Sequence, residues 1–320
     1  MNFDILNNLV LCPSVSGHES NIMKYIISFL SDDFKESIDL SPDYIYVSTS
    51  KEKHKDICFI LHVDEVGFEF GKRISDNTIE LSTIGSVPEV AYWGEIILDA
   101  DDNVLGCIQP KDELSIYGNH ENEIVLHTFN NTHPELKGKA ANIKSSLIVT
   151  SEYIIGKGLD NKIGIMLILD LIKKRFLQKY NASVLFTTKE EIMATQYPDV
   201  IFNTKIFAVI DAYSTIEDDC FLCLGPILDG SKNDIDDFIE HIKKKEISYQ
   251  KATHIQKTGT EIDILTQDER YNSTPFCILS YPLSFMHTPK EMASISDCIE
   301  LGKIIISFAE YITNKKFQNA

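Results

Sequence analysis

Residues 56–64 read DICFILHVD: five apolar residues in a row, then histidine, valine and aspartate. An amphipathic helix would space its apolar residues at three and four, and a half-exposed strand would place them at every second position. A short unbroken run of aromatic and aliphatic residues instead fits a strand covered on both faces. Strands of that kind belong to parallel or mixed sheets flanked by helices, and ligands in such sheets bind beyond the strands' carboxyl ends. His62 and Asp64 stand at that end, and side chains two apart on a strand point to the same side.

The neighbouring sequence repeats the pattern. KIFAVID (205–211) and ASVLFTT (182–188) read as further short buried strands, the second running on into Lys189, Glu190 and Glu191, and YIYVSTS (44–50) is β-branched and aromatic. Helices fall between them. SVSGHESNIMKYIISFL (14–30) places Ser16 and Glu19 at capping-box spacing ahead of a helical apolar pattern. GKGLDNKIGIMLILDLIKKR (156–175) is a Gly-rich turn and a mostly apolar helix with basic residues in its last turn, and 294–316 reads as an amphipathic closing helix. The run 229–246 reads as a solvated helix with a capped start. Between 66 and 151 the texture changes to short strands separated by Asp, Asn and Gly turns. The expected organisation is an α/β domain with a mixed, largely parallel sheet flanked by helices, formed by 1–65 and 152–320, interrupted by a small β-rich domain at 66–151.

Composition limits the partners. The formal charge of −18 repels a polyanion, so no nucleic-acid partner is expected. No apolar run approaches the roughly 18 uncharged residues needed to span a bilayer, so no membrane partner is expected either. Seven scattered cysteines read as free, mostly buried thiols, with CFLC (220–223) read as a strand interior. With an N-terminal stretch that lacks a basic n-region, they point to the cytoplasm.

His62, Asp64, Asp160, Glu190, Glu191, Asp211 and His287 all lie at or behind buried segments. Each alone has an ordinary structural use: a core histidine, a helix N-cap at Asp160, a turn initiator at Asp211. Together, carboxylates gathered at apolar strand ends would repel one another and raise their pKa values unless cations neutralise them. A metal pair meets that demand, and mixed His and carboxylate ligands suit zinc, cobalt or manganese. The adjacent glutamates are expected to diverge on extended backbone at the frayed end of their strand.

The pieces SVSGHE (14–19), HVDEVGF (62–68), GKGLDNKIG (156–164), TTKEE (187–191), IDA (210–212), GTEID (259–263) and MHTPKEM (286–292) resemble, in order and over nearly the full length, the M42 metallo-aminopeptidases. The resemblance implies a zinc-peptidase-like catalytic domain with an inserted β domain used in dimer formation and assembly. It implies two divalent metal ions per subunit, with Asp160 bridging them. His62 and Asp211 would complete one site, Glu191 and His287 the other. Glu190 would be the general base and Asp64 the supporting acid beside His62. The implied reaction is removal of N-terminal residues from peptides with a free amine, by a homo-oligomer ranging from dimer to dodecamer. A dinuclear amidohydrolase acting on N-acyl amino acids, and a metal-binding protein without activity, are the alternative readings. The chain departs from the family pattern at IMATQ (192–196), PLSFMH (282–287), Glu261 in place of the aspartate of GTD, and YSTIEDD (213–219).

Overall fold

The computed structural model describes residues 1–34, 37–49, 54–99, 103–111, 124–129, 135–216, 220–252 and 258–318. Among these residues, eleven strands form one sheet and six form another. At the centre of the larger sheet, Ala182–Thr187, Ile57–His62, Ile206–Ser214 and Phe276–Ser284 lie side by side and parallel. Antiparallel strands extend it outward: Tyr44–Ser48 and Ile38–Ser41 on one side, Glu291–Ser294, Tyr153–Gly156 and Ile148–Val149 on the other. The expected mixed sheet, parallel at its centre and flanked by helices, is therefore the fold.

Alternation along the central strands buries both faces. Ile57, Phe59 and Leu61 pack into the core with Ala182, Val184 and Phe186 and with Ile206, Ala208 and Ile210. The intervening Cys58, Ile60, Leu185, Phe207 and Val209 pack into a second core on the opposite face. The helix Leu159–Lys173 is buried nearly all round, which accounts for its near-continuous apolar sequence, and the long helix Ile295–Gln318 covers the same core. No helix among the described residues is long and apolar enough to cross a membrane.

The smaller sheet is antiparallel, in the order Gly67–Ser75, Thr78–Ile84, Ile124–Thr128, Val104–Pro110, Ile96–Leu98 and Asn142–Ile143. It has its own core, with Phe68 and Tyr92 edge to face at 5.0 Å. Residues 148–149 pair back into the larger sheet.

Four local readings are corrected. The second helix begins at Ser20, and Ser16 donates its hydroxyl to Asp64 rather than capping. CFLC forms a turn, with Cys223 exposed in the left-handed region at φ 67°, because Gly225 and Cys223 both donate backbone N–H groups to Asp297. The helix Lys232–Lys243 is not wholly solvated: Ile235, Phe238, Ile239 and Ile242 are buried in the main core. The strand carrying Asp211 does not stop there but continues to Ser214, paired throughout with Phe276–Ser284.

Candidate metal centre

His62 closes its strand, and its ring is fixed from behind. Nδ1 lies 3.1 Å from the backbone carbonyl of Asp64 and 3.7 Å from that residue's carboxylate. The carbonyl partner on Nδ1 leaves Nε2 free to act as a ligand. Nε2 in turn lies 3.1 Å from Asp160 Oδ1 and 3.1 Å from Asp211 Oδ1.

Asp160 follows Gly158, whose φ of +62° requires glycine, since a Cβ there would also collide with the Glu65 carboxylate. Its own backbone is not helical, at φ −73° and ψ 107°, so its side chain leaves the helix line and enters the cleft. The Tyr281 hydroxyl donates to the Leu159 carbonyl at 2.7 Å and Asn161 donates to the Ile210 carbonyl at 2.5 Å, tying the turn to two central strands. The second carboxylate oxygen, Oδ2, lies 3.6 Å from His287 Nε2, which is 3.2 Å from Glu191 Oε2.

Two groups of ligand atoms result, His62 with Asp160 and Asp211, and Asp160 with Glu191 and His287, each within 4.8 Å of one another. Asp160 belongs to both. The other oxygen of Glu191 is buried with no hydrogen-bond partner among the described residues. A buried carboxylate oxygen without a donor is costly, and a divalent cation at this position would satisfy it. The electrostatics agree with that fit. Burial lowers His287, but Asp160 and Glu191 outweigh it and bring it up to about 11; His62 is likewise raised against burial by Asp211 and Asp160. Burial raises Asp211 to about 6. The surrounding carboxylates thus push both imidazoles toward the positively charged form, a demand for positive charge that a cation would meet instead.

Glu190 and Glu191 sit in a short 3₁₀ turn, Glu190–Ile192, not on extended backbone. Left-handed residues at Lys189 and Met193 bracket the turn, and this sharp reversal, rather than strand alternation, separates the two side chains. Both backbone N–H groups donate to the Asp64 carboxylate at 3.1 Å. Asp64 also accepts from Ser16 Oγ at 2.5 Å. Asp64 thus acts on the turn as much as on His62. Glu190 is 6% exposed, and burial pushes its carboxyl well above the usual range, with Asp211, Glu191 and Glu261 adding to the rise against His62.

Two residues of this shell were not singled out for a role in the sequence. Glu291 is buried, and its carboxylate accepts from His287 N at 2.8 Å and Asp160 N at 3.3 Å, joining the two histidine-bearing and aspartate-bearing turns. The signal was its place in MHTPKEM, four residues past His287. Glu261, marked only as a departure, is fully buried beneath the glutamate turn. Its side chain hydrogen-bonds the Thr187 hydroxyl, its carbonyl accepts from Tyr197 at 3.2 Å, and burial raises it to about 8. The smaller sheet also reaches the site: the Ser86 carbonyl lies 3.0 Å from His287 Nδ1, and Tyr92 donates to the His287 carbonyl at 3.0 Å.

Residues 136–304 match the family described as M42 glutamyl aminopeptidase. A protein of Acetivibrio thermocellus with a provisional aminopeptidase assignment is 22% identical over 335 residues, covering 95% of this chain and 97% of that one. An aminopeptidase from the archaeon Desulfurococcus kamchatkensis superposes with a TM-score of 0.80 at 18% identity, over 97% of this chain and 96% of that one. The TET1 peptidase of Pyrococcus horikoshii, described as assembling into a tetrahedron or a large octahedral shell, gives 0.76 at 18% identity, over 96% and 98%.

Proposed function

The chain belongs to the M42 glutamyl aminopeptidase family, a family of peptide-bond hydrolases, and from that membership we propose that it is a dinuclear metal-dependent aminopeptidase. The observation that carries this reading is the pair of donor groups sharing Asp160, with Glu190 buried beside them. Two divalent cations, zinc first with cobalt or manganese as alternatives, held by His62, Asp160 and Asp211 and by Asp160, Glu191 and His287, would polarise the scissile carbonyl and lower the pKa of the attacking water.

Glu190 accepts the proton of that water and returns it to the leaving amine, two transfers that its raised pKa suits. Asp64 holds the backbone of both glutamates and so fixes where the base stands relative to the ligand Glu191. The acidic pocket favours the free α-ammonium group of a peptide, which places the cleaved bond after the first residue.

In the same reading, residues 66–151 are an inserted β domain that serves dimer formation and assembly, and the protein works as a homo-oligomer, as do the TET peptidases it superposes on. The same reading puts the protein in the cytoplasm, for which its free cysteines are a support. The test is turnover of aminoacyl-anilides against N-acyl amino acids by metal-loaded protein, with chelator controls. Free-amine substrates are cleaved and chelation abolishes the activity; cleavage confined to N-acyl substrates would replace aminopeptidase with deacylase.

A further inference from the structure

Met193 and Phe285 stand two residues from metal-centre side chains, one after Glu191 and the other before His287. Both are in the left-handed region, at φ 53° and 58°. A bulky L-residue is disfavoured there, and glycine or asparagine would hold the conformation more easily. Both are also more than half exposed, at 55% and 57%, and Ile192 beside them is 42% exposed. Each residue therefore carries two unfavourable features, backbone strain and apolar exposure to water, at a site where strain in a fold points to use.

The two turns are held firmly. Met193 and Ala194 donate backbone N–H groups to Glu190 and Lys189 at 2.7 and 3.0 Å, while Thr288 donates both its N–H and its hydroxyl to the Phe285 carbonyl at 3.2 and 2.7 Å. Glu191 and His287 meet at 3.2 Å, and two residues of chain span at most about 7 Å. Met193 and Phe285 thus both stand close to that contact, one on each turn.

We propose that Ile192, Met193 and Phe285 form an apolar slot for the side chain of the substrate's first residue, so that peptides headed by leucine, methionine or phenylalanine are preferred. This rests on the aminopeptidase reading and adds the substrate class. Burying the slot on an apolar side chain removes three exposed apolar surfaces from water at once. Lys189 does not offer a counter-charge for an acidic first residue, since its ammonium is engaged by Asp43 at 2.5 Å, and Lys157 and Lys162 are engaged by Glu65. Exposed Lys290, three residues past His287, would favour an acidic first residue instead.

A panel of Leu-, Met-, Phe-, Ala-, Glu- and Lys-anilides on the metal-loaded enzyme decides between these. The expected result is kcat/KM for the first three at least about tenfold above Glu and Lys. Met193→Ser and Phe285→Ser each lower the Leu-to-Ala ratio of kcat/KM several-fold, and Met193→Leu keeps it. Calorimetric binding of Leu-Gly-Gly to the Glu190→Gln protein is correspondingly about tenfold tighter than that of Glu-Gly-Gly. A panel led by Glu or Lys, or a Leu-to-Ala ratio unmoved in both serine variants, overturns the slot while leaving the aminopeptidase standing. Silence of metal-loaded enzyme on every free-amine anilide overturns the aminopeptidase itself, and the slot with it.

Discussion

Glu190 and Glu191 are adjacent in the chain but differ in what surrounds them. Glu191 lies against His287 with one oxygen left for a cation, while burial, with Asp211, Glu191 and Glu261 adding to it, raises the Glu190 carboxyl above the usual range. Replacing Glu190 by Gln should keep both ions, measured by elemental analysis, and lower kcat by roughly 10²-fold or more. Since a general base works deprotonated and burial raises its pKa, the acid limb of the kcat/KM profile of the native enzyme is expected above the usual carboxylate range, with activity falling as pH falls. Glu261 is a third case. Burial raises it to about 8, and its carboxyl accepts from the Thr187 hydroxyl just before the turn while its carbonyl holds Tyr197 after it. Glu261→Ala should lower kcat more than it raises KM, and Glu261→Gln, neutral and of similar shape, should recover most of the loss.

At the scale of elements, the connections carry the chemistry and the strands only aim them. The turn after His62 is anchored by Glu65, whose carboxylate meets Lys157 at 2.8 Å and Lys162 at 3.0 Å in a buried cluster. Burial alone would raise Glu65, but the two ammonium groups outweigh it and hold it at about 2, while burial pulls Lys162 down as well. The carboxylate's shift is the one that bears on acid pH. Its folded pKa is depressed, so its contribution is complete above about 4.5 and is lost as pH falls from there through about 2, on the order of 3 kcal/mol in all. Glu65→Gln, which leaves two buried ammonium groups short of a partner, is expected to cost about 3–5 kcal/mol in denaturant unfolding near neutral pH and to flatten the acid limb of the stability curve. A variant as stable as the native chain would remove Glu65 from this role.

For the whole molecule, the sheet was legible because burial on both faces leaves an unbroken apolar run, and DICFILHVD is such a run. His62 at a strand end, Asp211 three residues short of the next strand's end and Asp160 in the turn that opens a helix converge on the carboxyl side of the sheet, where the alternation of strands and helices already implies a site. What sequence could not give was set by turns. The hydroxyl of Ser16 was read as a cap because its spacing to Glu19 allows it, whereas the folded chain brings Asp64, 48 residues away, into its reach. Glu291 and Glu261 look like ordinary acids in sequence, since their burial is created by segments far along the chain. The strand end at Asp211 was misplaced because an aspartate after an apolar run reads as a turn initiator, whereas pairing with Phe276–Ser284 extends the strand to Ser214.

His287 belongs to the chain of the larger sheet, yet Ser86 and Tyr92 of the smaller sheet's segment set the direction of its ring and backbone. One of the two donor groups is therefore finished by a segment some 200 residues away, and its readiness depends on how the two sheets are seated. Tyr92→Phe, which removes only the hydroxyl, should weaken binding of one ion about tenfold more than the other in a two-step metal titration; equal weakening of both would show that His287 keeps its place unaided. With two ions bound as proposed, the one at His287 would report on assembly within the subunit: it would be held well only by a chain whose two sheets have already found each other, so full loading with metal would come last in the making of the enzyme.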